Sequence, residues 1–444
     1  MANIKRIGQG LGVVIVAGVV VAGGWAWTRL NTGRASVADD SVTLAEVTGA
    51  DAEAVKRGEY VMRSGDCVAC HTGKGEEFAG DFAGGYQIHT PFGTLVASNI
   101  TPDTETGIGG WTERDFFKAL RHGQGKGDML YPAMPYTAYA KLTDADMHDL
   151  WAYMSTIEPV KNAVDENGGM AFPYNIRLAM AGWDMLFFDN SAFEPVPGQS
   201  DEWNRGKYLV DGAGHCSACH TPRNGLGAEV AAHYMQGAVV DGWFAPELTS
   251  NPHVGLGEVG AESVAQYLKT GSDGTAFAAG PMAEAVEHST QYLTDADAKA
   301  IATYLVSLPG SDAVRPAPMS ADTAAMRSAA LAYEVNCSAC HGVSGEGIGS
   351  LAPAFAGNHA IQSDNVTSIA GAVLRGARAA HTDTLPTAGG MPAFGWKFDD
   401  VQIASVLDYI RNSWGNAASP VSPEDVAKFR TATGALPKLA PPAE

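Results

Sequence analysis

Cys67-Val68-Ala69-Cys70-His71, Cys216-Ser217-Ala218-Cys219-His220 and Cys337-Ser338-Ala339-Cys340-His341 together contain every cysteine of the chain. Two cysteines three apart on a helical turn project to one side, where they can form thioethers with the two vinyl groups of one porphyrin. The adjacent histidine then offers an imidazole nitrogen to the iron. C-x-x-C-H is accordingly the attachment signature of c-type haem. Two other chemistries use paired cysteines. A redox C-x-x-C pair needs a βαβ setting and no following histidine, and a zinc site brings two such pairs close together. The copies here start 149 and 121 residues apart, so each belongs to its own domain. Cys67, Cys70, Cys216, Cys219, Cys337 and Cys340 are read as the attachment residues of three haems, with His71, His220 and His341 as iron ligands.

The methionines point to the opposite axial position. Met134 lies 63 residues after His71, within Tyr131-Pro-Ala-Met134-Pro-Tyr136. Met282 follows Gly280-Pro281, 62 residues after His220, and Met391 stands in Gly390-Met391-Pro392 as the only methionine after Cys340. Flanking prolines favour extended loops over helices at these positions. Met129, five residues away in a loop, is the main rival in the first segment, and the second segment holds two methionines, Met235 and Met282. Met154, Met180, Met185 and Met326 sit in helical apolar patterns and read as core. A thioether is a soft ligand that favours Fe(II) and raises the potential. An iron held by both histidine and methionine has no open position, so it moves electrons and does no bond chemistry. No catalytic centre is expected in this chain, and a peroxidase is the weaker reading. The remaining histidines show no paired metal spacing. Gly345-Glu-Gly347-Ile-Gly349 follows no strand and reads as a haem-side loop rather than a phosphate cradle.

The first two segments are a duplication. Arg57-Gly-Glu-Tyr leads into the first motif and Arg205-Gly-Lys-Tyr into the second. Phe117–Gly123 pairs with Tyr267–Gly271, and Leu142-Thr-Asp-Ala-Asp146 recurs as Leu293-Thr-Asp-Ala-Asp297, each opening a helix. Apolar spacing predicts helices over about 144–157, 295–308, 323–336 and 398–414. No stretch shows sustained strand alternation, so the fold is read as all-α, with haem domains at 50–160, 201–312 and 323–415. A linker is expected at 161–200 and a coreless tail at 416–444. The apolar stretch Ile176–Phe188 reads either as a short helix packed between domains or as a surface that meets a partner or the membrane.

The chain has 444 residues, 45% of them hydrophobic, which excludes a disordered chain. Its 29 basic against 49 acidic residues argue against nucleic acid as a partner. Residues 1–34 hold Lys5, Arg6, Arg29 and Arg34 and no acidic residue, with an apolar run from Leu11 to Trp27 between the basic pairs. At 1.5 Å per residue this run reaches roughly 26 Å, at the short end of a bilayer span. Residues 1–36 are therefore read as a transmembrane anchor or a cleaved leader, and either exports the rest of the chain.

Gly65-Asp-Cys67, Ser98-Asn-Ile-Thr-Pro-Asp103, Tyr131-Pro-Ala-Met134-Pro-Tyr136, Gly280-Pro-Met282 and Asn412-Ser-Trp-Gly-Asn416 resemble the triheme cytochrome c subunit of membrane-bound periplasmic dehydrogenases, of the alcohol, aldehyde and gluconate type. The resemblance runs from about residue 51 to 416. It implies three consecutive cytochrome c-type domains on the periplasmic face of the bacterial inner membrane. It also implies a separate catalytic subunit whose electrons pass along three haem c groups to ubiquinone. The N-terminal anchor and short tail look more like the aldehyde-oxidising branch, whose partners carry molybdopterin and iron–sulfur clusters. The alternative is a free-standing cytochrome serving a terminal oxidase.

Overall fold

The computed structural model describes residue 39 and residues 41–75, 78–432 and 434. The expected anchor or leader at 1–36 lies outside them, as does the end of the tail. Among the described residues no helix is long and apolar enough to cross a membrane. The chain forms two compact units, one holding the residues up to Val61 together with Cys70–Phe193, the other Met62–Ala69 together with Glu194 onward.

Most of the first unit is built from α1 (Ala52–Ser64), α2 (Cys67–His71), β1 (Gln87–Thr90), β2 (Gly93–Val96), α3 (Glu113–His122), α4 (Tyr136–Tyr139), α5 (Asp144–Met154), β3 (Gly169–Met170) and α6 (Ala179–Phe187). α1 and α2 contribute residues to both units. Thr112 starts α3 with a capping box: its hydroxyl accepts the Asp115 N–H, and the Asp115 carboxylate accepts the Thr112 N–H. α3 ends at Gly123, in the left-handed region with φ +62°, where any side chain would overlap the Tyr136 ring. α5 starts at Thr143, whose hydroxyl accepts the Asp146 N–H at 3.1 Å. α1 crosses α5 at Gly58, so closely that a Cβ there would overlap the Asp149 carbonyl. Arg57 binds the Asp149 carboxylate with two hydrogen bonds of 2.6 and 2.8 Å.

The second unit opens with the duplicate: α7 (Asp201–Asp211), α8 (Ser217–His220), β4 (Ala238–Val240), β5 (Trp243–Ala245), α9 (Ala261–Thr270), α10 (Pro281–His288) and α11 (Asp295–Val306). Gly206 on α7 meets the Ala300 carbonyl on α11 as Gly58 meets Asp149. α9 ends at Gly271, again left-handed with φ +77°. The one shift concerns the arginine. Arg57 reaches the sixth residue after the Thr143 cap, whereas Arg205 binds Asp297, the third after the Thr294 cap, at 2.8 Å through two nitrogens. The glycine crossing is kept while its salt bridge moves by one helical turn.

The same unit continues with α12 (Ala324–Asn336), α13 (Ser338–His341), α14 (Thr367–Arg375), β6 (Ala377–Arg378), β7 (Gly390–Met391), α15 (Asp400–Arg411) and α16 (Pro423–Ala432). Tyr333, Leu374, Ile403, Leu407, Ile410, Val421 and Val426 form its core here. The tail therefore has a core after all. Val421 and Val426 are buried, and Arg430 ties α16 to Asp400 and to the carbonyls of Gly395 and Phe398. Only a few apolar residues do this among many Ala and Pro, which is why composition hides it.

The expectation of a purely helical fold is corrected by three small antiparallel sheets, β1-β2-β3, β4-β5 and β6-β7. Their strands are two to four residues long, too short for alternation to register. The β4–β5 hairpin turns at Asp241-Gly242, both left-handed with φ +48° and +71°, the Asp-Gly arrangement of a tight hairpin. The expected linker also packs: β3 pairs with β2, and Asn162 donates to the Ala83 carbonyl at 2.8 Å. α6 is the predicted short helix, but none of its side chains is fully buried, and Leu178 and Leu186 are 73% and 72% exposed. Ile176–Phe188 thus contains a short helix, as one reading expected, with much of its apolar surface exposed.

Gly206→Ala forces α7 and α11 apart, and unfolding by denaturant should show a loss of about 1–3 kcal/mol. Asp184 on α6 accepts a 2.7 Å hydrogen bond from the Tyr136 hydroxyl, and burial pushes its carboxyl up to about 7. The folded chain thus holds a proton there that the unfolded chain releases near its ordinary value. Stability should therefore fall as pH rises from about 4 to 7, and Asp184→Asn should flatten that part of a melting-temperature profile.

Candidate haem-attachment sites

α2, α8 and α13 are single helical turns that end on His71, His220 and His341; α2 contains both of its cysteines, while Cys216 and Cys337 stand at the residue just before α8 and α13. Each histidine uses one ring nitrogen on a backbone carbonyl. Nδ1 lies 2.8 Å from the Ser98 oxygen for His71, 2.7 Å from Pro246 for His220 and 3.0 Å from Pro353 for His341. Donation from Nδ1–H fixes the tautomer and leaves Nε2 with its lone pair free for a metal. Burial lowers the pKa of all three imidazoles, which keeps them neutral, as a ligand must be.

A glycine beside each of these contacts ties back to the histidine's own backbone. Gly84, Gly237 and Gly347 donate their N–H to the carbonyls of His71, His220 and His341, at 2.8, 2.8 and 2.9 Å. All three are left-handed, with φ of +75°, +87° and +71°. A Cβ at Gly84 would lie 2.6 Å from atoms of residues 97–99, and one at Gly347 2.7–2.8 Å from residues 352–354, the stretches that present the Ser98 and Pro353 carbonyls. At Gly237 the same atom would meet Phe244, Ala245 and Glu247, around Pro246. Histidine, glycine and carbonyl thus form one closed cradle, built three times.

This cradle has no signature in the sequence. Its glycine follows the histidine by 13, 17 and 6 residues, and its carbonyl by 27, 26 and 12. No fixed spacing exists to be found. Gly347 does place the 345–349 loop beside His341, which agrees with a haem-side role.

The electrostatics at two of the cysteines do not favour a reactive thiolate. Burial pushes the Cys216 thiol up to about 12 and Cys337 up to about 11, the reverse of a reactive thiolate pair. Among the described residues no group of three His, Cys, Asp or Glu side chains gathers as a metal ion would require.

The methionines divide by exposure. Met129, Met154, Met235 and Met326 are buried core residues, at 6%, 1%, 0% and 3% exposure. Met235 stands where Phe82 stands in the first segment. Both are left-handed, with φ +58° and +62°, and both donate their N–H to the threonine after the haem histidine, Thr221 and Thr72. Met134, Met282 and Met391 are only half-buried. Met134 lies in the turn ahead of α4, its N–H bonded to the Tyr131 carbonyl at 3.0 Å, and Met391 lies in β7. Met282 departs from the expected extended loop. It is the second residue of α10, because Pro281 at the first helical position presets φ and lacks only an N–H that would be unpaired anyway. Met185, expected in the core, is 36% exposed on α6.

Comparison with known families agrees with this construction. Residues 204–309 and 325–414 match the model for cytochrome c, and residues 53–154 match that for cytochrome c oxidase, cbb3-type, subunit III. The gluconate 2-dehydrogenase cytochrome c subunit of Pantoea cypripedii is 41% identical over 85% of this chain and 89% of its own. The chain belongs to the cytochrome c subunits of membrane-bound dehydrogenases. Within this family, the fructose dehydrogenase cytochrome subunit of Gluconobacter japonicus is 39% identical, over 87% of this chain and 85% of its own. The cytochrome c subunit of the alcohol dehydrogenase (quinone) of Gluconobacter oxydans is 38% identical, over 89% and 86%. Cytochrome c domains imply covalently bound haem c.

Gly237→Ala displaces the Pro246 carbonyl from His220. An imidazole without that acceptor is a less basic ligand and stabilises Fe(III) less. Potentiometric titration should show the midpoint of this haem rising while the others stay in place.

Proposed function

We propose that this chain is an electron-transfer subunit carrying three haem c groups, which accepts electrons from a catalytic dehydrogenase subunit and passes them to ubiquinone at the periplasmic face of the inner membrane. The single observation that carries the reading is the triple cradle. Three cysteine pairs each precede a neutral histidine whose Nδ1 is spoken for and whose Nε2 is free. Cys67 and Cys70, Cys216 and Cys219, and Cys337 and Cys340 would hold the porphyrins. His71 with Met134, His220 with Met282, and His341 with Met391 would hold the irons. When bound, the haems supply one-electron redox chemistry. The protein residues keep each imidazole oriented and neutral, and the methionines would add a thioether ligand that favours Fe(II).

Two features support a site at the membrane. The apolar run Leu11–Trp27 has the composition of an anchor, and Phe172, Leu178 and Leu186 are large apolar side chains left 79%, 73% and 72% exposed. The quinone step rests on the name of the alcohol dehydrogenase relatives. The relatives' names span gluconate, alcohol and fructose, so the substrate belongs to the catalytic subunit. An aldehyde-oxidising partner with molybdopterin and iron–sulfur clusters remains part of the proposal, and mass spectrometry of the proteins that co-purify with this chain identifies that partner.

Pyridine haemochrome analysis of the purified chain should give three haems, and the double variant Cys337→Ser, Cys340→Ser should give two. Loss of more than one haem, or a parent value of two, would refute the assignment. Met391→His should lower the midpoint potential of the third haem and leave that of the first unchanged.

A further inference from the structure

The segment from Gly376 to Asp383 lies between the chain around Met282 and the chain around Met391, and it is fastened to both. On one side it forms β6, whose Ala377 pairs with Met391 and whose Arg378 pairs with Gly390. Gly376, with φ +81°, sits so close that a Cβ would lie 2.5 Å from the Met391 carbonyl oxygen. On the other side Ala379 forms an antiparallel bridge with Ala279, three residues before Met282. Ala380 completes the small apolar cluster of Ala278, Ala283 and Val286 against which Met282 packs.

One carboxylate pins this strap. Glu287 lies on α10, five residues after Met282. It accepts two hydrogen bonds from the Arg378 guanidinium, at 2.6 and 3.1 Å, and a third from the His381 N–H at 2.7 Å. Burial alone would raise the Glu287 carboxyl, but the bonds from Arg378 and His381 outweigh it and hold its pKa below the ordinary value. Gln291, one turn further on, accepts the Asp383 N–H at 3.0 Å. A separate fastening lies elsewhere along the same seam, where the Ser368 hydroxyl accepts the Phe244 N–H at 2.7 Å and donates to the Phe244 carbonyl at 3.1 Å.

We propose that the strap Gly376–Asp383, pinned by the Arg378–Glu287 pair, is a shared positioning device for Met282 and Met391 that couples the second and third haems into one redox pair. The proposal rests on the reading of those two methionines as axial ligands. Arg378 and Glu287 are not among the proposed iron ligands. They act through the backbone that carries both methionines, and through a charge pair set between the two segments. Removing the positive member leaves a carboxylate that favours Fe(III) at both haems. Removing the negative member leaves a guanidinium that favours Fe(II) at both.

Spectroelectrochemical titration of the full holo-chain tests this with Arg378→Gln, Glu287→Gln and the double variant. Met282→His and Met391→His assign the waves to their haems. Arg378→Gln should lower both the second and third midpoints, Glu287→Gln should raise both, and the double variant should return towards the parent. Arg378→Lys, which keeps the charge, should rescue most of the shift. A shift confined to one haem, no shift, or shifts of the same sign in both single variants would overturn the coupling, since simple loosening moves both variants alike. If Met282→His or Met391→His leaves the sulfur-to-iron charge-transfer band and all midpoints unchanged, the ligand reading fails instead. The Ser368 contact remains in every variant and keeps part of the seam fastened.

Discussion

The hydrogen bond from a histidine Nδ1 to a backbone carbonyl is the constraint around which each haem-attachment segment is organised. It decides which nitrogen faces outwards, and it requires a carbonyl many residues away to be held within 2.7–3.0 Å. The glycine that closes the loop meets this requirement twice over. Its N–H ties back to the histidine's own carbonyl, and its missing side chain lets the distant strand or turn come close. Left-handed φ excludes most other residues there. The loops between histidine and carbonyl can then differ in length by more than twofold without changing the site.

That tolerance explains what can and cannot be read from the chain. The cysteine–histidine pattern is legible because thioether chemistry fixes its spacing. The helix starts at Thr143, Thr294 and Thr323 are legible because a capping hydroxyl must stand just ahead of its helix. The glycine-closed ends of α3 and α9 follow the same local logic. Gly84, Gly237 and Gly347 are not legible, because their partners are set by tertiary closure. The short hairpins fall between, since Asp241-Gly242 is a turn signal but three-residue strands carry no periodicity. Met282 reads as a loop residue only when proline counts as a breaker, whereas the first turn of a helix accepts it.

The duplication also shows which contacts resist drift. Gly58 and Gly206 keep their helix crossing, because a backbone approach of that kind admits no side chain. The neighbouring Arg57 and Arg205 keep a bidentate carboxylate but take it from different turns of the partner helix. A long guanidinium can reach either turn, so the ion pair moves freely while the crossing does not. In the third segment neither feature recurs, yet the histidine cradle does. Of the glycine crossing, its ion pair and the histidine cradle, the cradle alone is present in all three segments.

Low-temperature electron paramagnetic resonance of the fully oxidised chain tests the account most directly. If each of the three histidines is joined by a methionine as the second ligand, as proposed, only low-spin ferric signals are predicted, integrating to three irons per chain. A high-spin component amounting to one iron would show an open coordination position, and would contradict the central claim that every haem here serves electron transfer alone.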